Sequence, residues 1–382
     1  MFKDWKEEKK EREFGDGQGF IDGPKNPFYL NIILLKVSGG ESMSAKRVIP
    51  GVKEKVLETI KKYNLIQSND KLVLGVSGGP DSMCMLDTLL KIKKDESNPL
   101  NFEIIVAHVN HMIRQEAKDD ERYVEEYCKK NDIEFHKKSI DVKEMANNKK
   151  IGLEEAGREA RYTFFDEVLK KVGANKIAIA HNKNDNAETV LMNLFRGTGV
   201  SGLKGILPCN GIYIRPIIEC ERKDIEDYCE KNNLNPRIDK TNFDTLYTRN
   251  KIRNIVIPYL IKEVNPNIVE GINRLSELIY EEEEYFNKII PQLYNKMLIK
   301  EDLKENLIII NQKEWNKQEK VIKSKIILYT ISRLINTTKG IEKIHIEDII
   351  NLCEKNVGNK FLTPNKHLKI MLKKGQIYFL KI

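Results

Sequence analysis

The chain has 382 residues, of which 40% are hydrophobic, enough for two or three domains of about 150 residues each. This size excludes a peptide, a disulfide-stapled mini-protein and a disordered tail. No apolar run approaches the ~20 residues of a membrane span, and the charged N-terminus does not resemble a secretory signal. The six cysteines form no Cys-x-x-Cys pair, which argues against a zinc ribbon, an iron–sulfur site and a disulfide framework. We therefore expect a soluble protein of a reducing compartment, the cytoplasm.

The net charge of +8 is concentrated near the C-terminus, where residues 351–382 carry seven basic residues and one acidic residue. Such a cluster is either a solvated basic face or a surface that binds a polyanion, of which nucleic acid is the commonest. Composition leaves both interpretations open.

Residues 1–42 mix charged residues and glycines without a sustained period, and we expect them to be disordered or loosely packed. Gly39-Gly-Glu41, just before Met43, is also what a translated ribosome-binding sequence would encode. We therefore expect a chain that starts at Met43 to keep full activity and thermal stability.

From residue 52 onward, helical and strand patterns alternate. The sequence predicts helices over 52–63, 115–130, 153–172 and 184–195, a further helix that follows Ser82 and runs through Leu90, and strands over 71–76, 102–108, 134–139 and 176–180. This alternation predicts an α/β fold with a doubly wound parallel sheet, whose ligands bind at the carboxyl ends of the strands.

Beyond Gly197 the alternation weakens. The sequence predicts a strand over 212–218, a helix over 222–232, a mostly helical region over 246–299, helices over 320–334 and 346–354, and a small β-meander over 360–382.

The segment Ser77-Gly-Gly-Pro-Asp-Ser82 leads from a buried strand into a helix. Its two glycines let the backbone approach an anion closely, and backbone N–H groups, the helix N-terminus and two hydroxyls converge on that anion. Asp81 is suited to holding Mg²⁺ against phosphates. The segment is neither a Walker A loop nor a Gly-x-Gly-x-x-Gly motif. A tight turn with chance glycines is the alternative.

Four polar residues follow strands of the predicted sheet. His108 and His181 lie at strand ends, where substrates bind, although a lone histidine there is more often structural. Asp185 and Glu188 share one face of a helix start, where capping and interaction with the helix dipole are the simpler explanation. Carboxylates would also suit a cationic amino acid.

Arginines provide the third candidate group. Arg161 has no acidic neighbour three or four residues away, so a surface ion pair along its helix is a weak explanation. Arg158, by contrast, follows Glu154 and Glu155 at that spacing. Arg249 and Arg253 lie before a helix, and by themselves they indicate an exposed basic first turn.

The Ser77–Ser82 segment closely resembles the loop of the PP-loop ATP pyrophosphatase superfamily. Three further segments are similar to those of the tRNA(Ile)-lysidine synthetase family: His108-Val-Asn-His-Met-Ile-Arg114, the helix start at Leu153, and the stretch from His181 to Gly199. The resemblance is specific from roughly residue 52 to 260 and looser beyond.

The resemblance implies an ATP-dependent ligation of lysine to C2 of cytidine 34 in an isoleucine tRNA with a CAU anticodon, through an adenylated tRNA. ATP, Mg²⁺, L-lysine and tRNA(Ile) are the implied cofactors and partners, with no membrane, and a homo-oligomer is allowed. It divides the chain into the extension 1–42, an ATP-binding domain 43–220, a helical tRNA-facing region 221–300 and a helical and basic β-region 301–382.

The resemblance also assigns roles to residues. The catalytic set is Asp81, Arg161, Asp185 and Glu188. The ATP-binding set is Ser77, Gly78, Gly79, Pro80, Asp81, Ser82 and His108, with Asp81 also the metal ligand. The lysine-binding set is His181, Asp185 and Glu188. The tRNA-binding set is Arg196, Arg249, Arg253, Lys366, Lys369 and Lys373.

Other functions remain open. Another PP-loop tRNA-modifying enzyme, such as a base sulfurtransferase, is the main alternative, although the chain lacks a Cys-x-x-Cys pair. A small-molecule synthetase and a nucleotide sensor without turnover are further alternatives. Many family members carry an additional C-terminal domain after the basic β-segment, so we expect either a shorter architecture or a truncated gene.

Overall fold

The computed structural model describes residues 50–98, 100–112, 117–237, 248–354 and 360–382. The predicted extension 1–42 lies outside the described residues, as do Arg114 and the segment 239–242. Residues Pro50–Ile382 form one compact unit.

The first part of this unit is an α/β layer structure. Its elements are α1 (Val52–Tyr63), β1 (Lys71–Gly75), α2 (Pro80–Lys94), β2 (Glu103–Asn110), α3 (Ala117–Lys130), β3 (Glu134–Ser139), α4 (Val142–Lys149), α5 (Leu153–Val172), β4 (Lys176–Ile179), α6 (Lys183–Phe195), β5 (Cys209–Asn210), β6 (Tyr213–Ile214) and α7 (Arg222–Lys231).

The first sheet has the strand order β3-β2-β1-β4-β6-β5, and every pair is parallel except β5 with β6. The chain builds outward from β1 to β3 and then returns to the other side of β1 with β4. This reversal places a topological switch point between the carboxyl ends of β1 and β4, where ligands of such sheets bind. The predicted doubly wound sheet is confirmed.

The apolar run in β1 explains its central place. Leu72, Val73 and Leu74 are fully buried, as expected of a parallel strand that is covered on both faces. Leu72 and Leu74 belong to a core with α1, α2, α3 and α7. Val73 belongs to a second core, in which Phe164 and Phe165 of α5 cover the opposite face.

The second part is helical and then β-structured. Its elements are α8 (Thr248–Lys251), a π-helical turn (Ile252–Val256), α9 (Ile257–Glu263), α10 (Ile268–Met297), β7 (Leu298–Asp302), β8 (Leu307–Asn311), α11 (Gln312–Asn316), α12 (Lys320–Ile335), α13 (Lys343–Glu354), β9 (Phe361–Asn365), β10 (Leu368–Lys373) and β11 (Gln376–Lys381).

The long helix α10 contributes to two cores. Val269 and Ile272 near its start pack with α6, the π-helical turn and α9. Ile290 and Tyr294 near its end belong to a core with the second sheet and helices α11, α12 and α13. One helix therefore contributes to both parts of the chain. The predicted domain limits at residues 220 and 300 stay a proposal.

The second sheet is antiparallel, with strand order β7-β8-β11-β10-β9. In β10, Leu368, Ile370 and Leu372 are buried, whereas Lys369 and Lys373 alternate with them on the other face. The predicted basic β-meander at the end of the chain is confirmed as β9, β10 and β11.

Two sequence predictions need correction. The strand predicted over 212–218 is only the two-residue β6, because Pro216 lacks the N–H that a longer ladder would need. The helical prediction to residue 299 is wrong at its end, where β7 begins at Leu298, and β8 was not predicted.

None of the described helices is long and apolar enough to cross a membrane. All six cysteines are free, and Cys209 alone is exposed.

Candidate active site

The loop between β1 and α2 is held by its own serines. Oγ of Ser82 accepts from the backbone N–H of Ser77 at 3.2 Å and donates to the carbonyl of Gly79 at 3.0 Å. Gly78 has φ of +90°, a conformation that favours glycine. Pro80 occupies the first turn of α2, where its missing N–H costs nothing. The loop therefore presents the N-terminus of a fifteen-residue helix at the switch point.

Asp81 lies in the first turn of α2 and points towards α6. Its Oδ1 accepts a hydrogen bond from Nδ2 of Asn182 at 2.8 Å. The pKa of Asp81 is raised to about 6, mainly by burial and secondly by the nearby carboxylate of Asp185. A nearby cation stabilises the charged form of such a carboxylate. Mg²⁺ is commonly bound by one or two carboxylates together with substrate phosphates. The site therefore fits the predicted metal ligand.

Asp185 caps α6 through a reciprocal arrangement with Asn182. The Asn182 side chain accepts from the backbone N–H of Asp185 at 2.9 Å, and Oδ2 of Asp185 accepts from the backbone N–H of Asn182 at 3.1 Å. The capping explanation is thus correct for one oxygen of Asp185. The other oxygen, Oδ1, faces a group of arginines.

Three arginines surround the two carboxylates of α6. Arg253 donates to Oδ1 of Asp185 at 2.8 Å and to Oε1 of Glu188 at 2.6 Å. Arg249 donates to the same two side chains at 3.2 and 2.9 Å. Arg222 lies 3.7 and 3.6 Å from them. The structure therefore brings the predicted lysine-binding carboxylates and two predicted tRNA-binding arginines into one network.

Local structure explains why these arginines act together. Arg249 and Arg253 are four residues apart, which places them on one face of the continuous helical segment. The segment contains the π-helical turn Ile252–Val256, a feature frequent at functional sites. Arg222 is the first residue of α7, and sequence reasoning missed it because no local spacing links it to α6.

His181 follows β4 and lies in a group of arginines. The pKa of His181 is lowered to about 3. Burial is the largest cause, and the positive charges of four arginines add to it: Arg215, Arg249, Arg158 and Arg161. The imidazole is therefore neutral at physiological pH. The surroundings of His181 therefore combine a neutral ring with several positive charges.

Arg158 and Arg161 of α5 belong to the group of arginines around His181. The guanidinium of Arg158 lies 4.8 Å from the ring centroid of Tyr162 and donates to its hydroxyl at 3.1 Å. Many protein atoms surround Arg161, although its side chain is exposed at the surface. This burial is the main cause that lowers the pKa of Arg161, and the positive charge of Arg158 is the second. The ion pairs of the described residues include neither arginine. The surface-pair explanation for Arg158 is therefore not observed.

His108 contacts the residue that precedes the loop. Its Nδ1 lies 2.8 Å from the carbonyl oxygen of Val76, the residue before the loop, so that Nδ1 carries the proton and donates. Burial lowers the pKa of His108, and within the described part of the chain its buried Nε2 has no hydrogen-bond partner. The contact with ATP predicted for His108 stays a prediction.

The remaining predicted RNA contacts lie away from the switch point. Arg196 follows α6 beside Phe195, and both are exposed. Lys366, Lys369 and Lys373 belong to the second sheet or its turns. Nζ of Lys369 lies 4.2 Å from the ring centroid of Phe361.

Comparisons with known proteins agree with this geometry. A family model described as the PP-loop domain matches residues 50–260. The tRNA(Ile)-lysidine synthase of Clostridium acetobutylicum is 47% identical over 313 residues, which cover 81% of this chain and 66% of the relative. That of Clostridium tetani is 44% identical and covers 85% and 68%.

A solved structure, a U34-tRNA thiolase from Methanococcus maripaludis, aligns with a TM-score of 0.50 and 22% identity over 60% of this chain and 78% of its own. This likeness concerns the fold alone. The chain spans about two thirds of the length of the curated relatives that it matches. With a matching PP-loop domain and relatives at this level of identity, the chain belongs to the tRNA(Ile)-lysidine synthase family.

Proposed function

We propose that the chain ligates lysine to C2 of cytidine 34 in the CAU anticodon of an isoleucine tRNA, using ATP, as a reaction of the cytoplasm. One observation carries the proposal. In a member of this family, the loop, Asp81 and the network of Asp185 and Glu188 converge on the switch point of the sheet.

The first step needs a phosphate site, and the loop supports one. The cytosine C2 oxygen attacks the α-phosphate of ATP, the bond from that phosphate to pyrophosphate breaks, and the adenylated tRNA forms. The N-terminus of α2 faces this anionic group favourably. Mg²⁺ held by Asp81 would neutralise phosphate charge as pyrophosphate leaves.

The arginines supply the remaining positive charge. Arg158 and Arg161 have no carboxylate partner among the described ion pairs, so their charge is available to an anionic substrate. Charges that are already in place stabilise a developing negative charge without reorganisation. We assign this role to both residues, Arg161 as predicted from the sequence and Arg158 in addition.

In the second step the lysine ε-amine attacks C2, and the bond from C2 to the oxygen of the adenylate breaks, so that AMP leaves with that oxygen. The amine gives up a proton, which Asp185 or Glu188 accepts. Three arginines already contact these carboxylates, so the incoming ammonium group competes with guanidinium groups for the same oxygens.

Base sulfur transfer is the alternative function. Sγ of Cys229 donates to the carbonyl of Pro80 beside the loop at 3.6 Å, and its contact with Cys84 lowers the pKa of Cys229, but both thiols are buried. Five of the six thiols are buried, and burial raises the pKa of Cys128 and Cys220 to about 12. A nucleophilic cysteine needs an accessible thiolate. Cys209 alone is exposed, and it is the first residue of the short edge strand β5.

Pyrophosphate release with purified chain, ATP, lysine and a tRNA(Ile) transcript tests the proposal. We expect release that depends on the tRNA, adenylated tRNA when lysine is omitted, and a nucleoside whose mass has increased by lysine less water when it is present. A transcript with uridine 34 is the matched substrate control.

Cys209→Ser is the matched protein control, because a ligase keeps its activity in this variant whereas a transferase that uses this thiol loses it. The absence of pyrophosphate with all three substrates would refute the proposal, as would a sulfur-containing nucleoside as the product.

A further inference from the structure

Arg215 contacts His181 from a buried position. Its Nε lies 3.1 Å from Nδ1 of His181, and its Nη1 donates to the carbonyl of Leu207 at 2.5 Å. The residue follows β6 directly and is 6% exposed. Two contacts therefore hold the buried guanidinium against the histidine.

The chemistry of the two groups decides the direction of this hydrogen bond. A guanidinium group has only donors, so Nε of Arg215 donates. Nδ1 of His181 must then accept and carries no proton, which places the proton of the neutral ring on Nε2. Within the described part of the chain, Nε2 makes no hydrogen bond, so this donor is available to a ligand.

We propose that Arg215 is a positioning residue that holds His181 as a neutral Nε2–H donor, so that His181 binds an acceptor oxygen of a substrate and not an ammonium group. The consequence for turnover rests on the proposed function, whereas the tautomer itself does not.

The charged groups around His181 agree with this assignment. Arg158 and Arg161 face it from α5, Arg249 from α8, and Arg215 from the end of β6, and together with burial they lower its pKa to about 3. Positive charges on three elements repel an ammonium group and attract an oxyanion. The predicted lysine-binding role of His181 can then involve only the carboxylate of lysine, while phosphate and base oxygens are acceptors of the same kind.

The tautomer can be measured directly by two-bond ¹H–¹⁵N correlation spectra of the full chain, which distinguish protonated from bare imidazole nitrogens. The chain has six histidines, and His181→Gln assigns the signal. We expect a single Nε2–H tautomer that does not titrate between about pH 5 and 9. A proton on Nδ1, or a mixture of both tautomers, in the unaltered chain would overturn the proposal.

Two variants separate the hydrogen bond from the charge. In Arg215→Gln the amide nitrogen stands at the same number of bonds from Cα as Nε of arginine, so it can still donate to Nδ1. In Arg215→Met a methyl group stands there. We expect Arg215→Met to mix the tautomers and to lower turnover about 10- to 100-fold, the loss seen for partners that orient a metal-binding histidine. Arg215→Gln should restore the single tautomer and most of the turnover.

Unchanged His181 signals in Arg215→Met would refute the positioning role. If Arg215→Met does not fold, the spectrum of Arg215→Gln decides, because a mixture of tautomers there contradicts the hydrogen bond. Additions of ATP, tRNA(Ile) and lysine, one at a time, identify which oxygen the Nε2–H binds. A chain that releases no pyrophosphate refutes the proposed function but leaves the tautomer measurement valid.

Discussion

Arg253 and Glu188 form a bidentate ion pair: Nε of Arg253 donates to Oε1 of Glu188 at 2.6 Å, and Nη2 donates to Oε2 at 2.8 Å. The Glu188 side chain is 1% exposed and that of Arg253 is 19% exposed. Because Glu188 is fully desolvated, removal of its charge leaves three arginines facing the single carboxylate of Asp185.

We therefore expect Glu188→Gln to lower the free energy of unfolding by about 3 to 5 kcal/mol, the usual cost of breaking a buried pair. The double variant Glu188→Gln/Arg253→Gln should lose less than the sum of the losses in the two single variants. The midpoints of urea unfolding measure these changes in the free energy of unfolding. Glu159→Gln, which breaks an exposed pair with Lys149, is the control and should cost less than about 1 kcal/mol. Equal costs for the two glutamates would contradict the argument.

The carboxylates of α6 should also determine the use of lysine. We expect Asp185→Asn and Glu188→Gln to raise the KM for lysine, because each removes a charge that attracts the ammonium group. ATP-dependent adenylation of the tRNA should persist in at least one variant. Rates at varied lysine concentration, measured at a temperature where both variants are folded, provide the check. Wild-type dependence on lysine in both would show that the lysine assignment is wrong.

Asp81 should serve adenylation and not RNA binding. Asp81→Ala should abolish adenylation, because it removes the metal-binding carboxylate, while tRNA affinity stays nearly intact. Asp81→Asn is the matched control, since its amide oxygen can still accept from Asn182. Filter binding and pyrophosphate release measure the two properties. Full activity of Asp81→Asn would reduce Asp81 to a structural hydrogen-bond partner.

The lysines of the second sheet should contribute to RNA affinity. Replacing Lys366, Lys369 and Lys373 by Glu should weaken tRNA binding and reduce the salt slope of log K by roughly 0.7 to 0.9 per lost phosphate contact. The same change at three exposed lysines at the ends of α2 and α3, Lys93, Lys129 and Lys130, is the control, because these helix ends lie opposite the carboxyl edge of the first sheet. Equal slopes in the two triple variants would support a merely solvated face.

His181 should make stability depend on pH. Its folded-state pKa of about 3 lies below its ordinary value of 6.5, so between these values the unfolded chain binds a proton that the folded chain does not. Its contribution is therefore complete above about pH 6.5 and is lost as the pH falls towards 3. His181→Gln should flatten the fall in melting temperature between pH 7 and 5. An equally steep fall in the variant would exclude His181 as its source.

The loop and the first sheet could be predicted because their signals are local. Leu72 to Leu74 form an apolar run, and the glycines that follow mark the turn. Arg215 and Arg222 could not be found in this way, since 34 and 37 residues separate them from His181 and Asp185, and only the sheet order and α7 bring them together.

The second sheet shows the same limit. Leu307–Asn311 is a short apolar run that suits a strand or a buried helix equally well. It becomes β8 because β11 and β7 pair with it on both sides. The sequence motif around Arg249 and Arg253 pointed to RNA, but their contacts with Asp185 and Glu188 depend on the approach of two distant helical segments.

Asn182 restricts what evolution or design can place at the start of α6. This fully buried residue accepts from the N–H of Asp185 and donates to Asp81 at the same time. Aspartate would cap the helix equally well, but it has no donor and would add a third carboxylate beside Asp81 and Asp185. Serine and threonine also cap helices, but their single short hydroxyl group does not reach as far. Among the common capping residues, only asparagine has an acceptor for the helix and an N–H donor for the neighbouring loop.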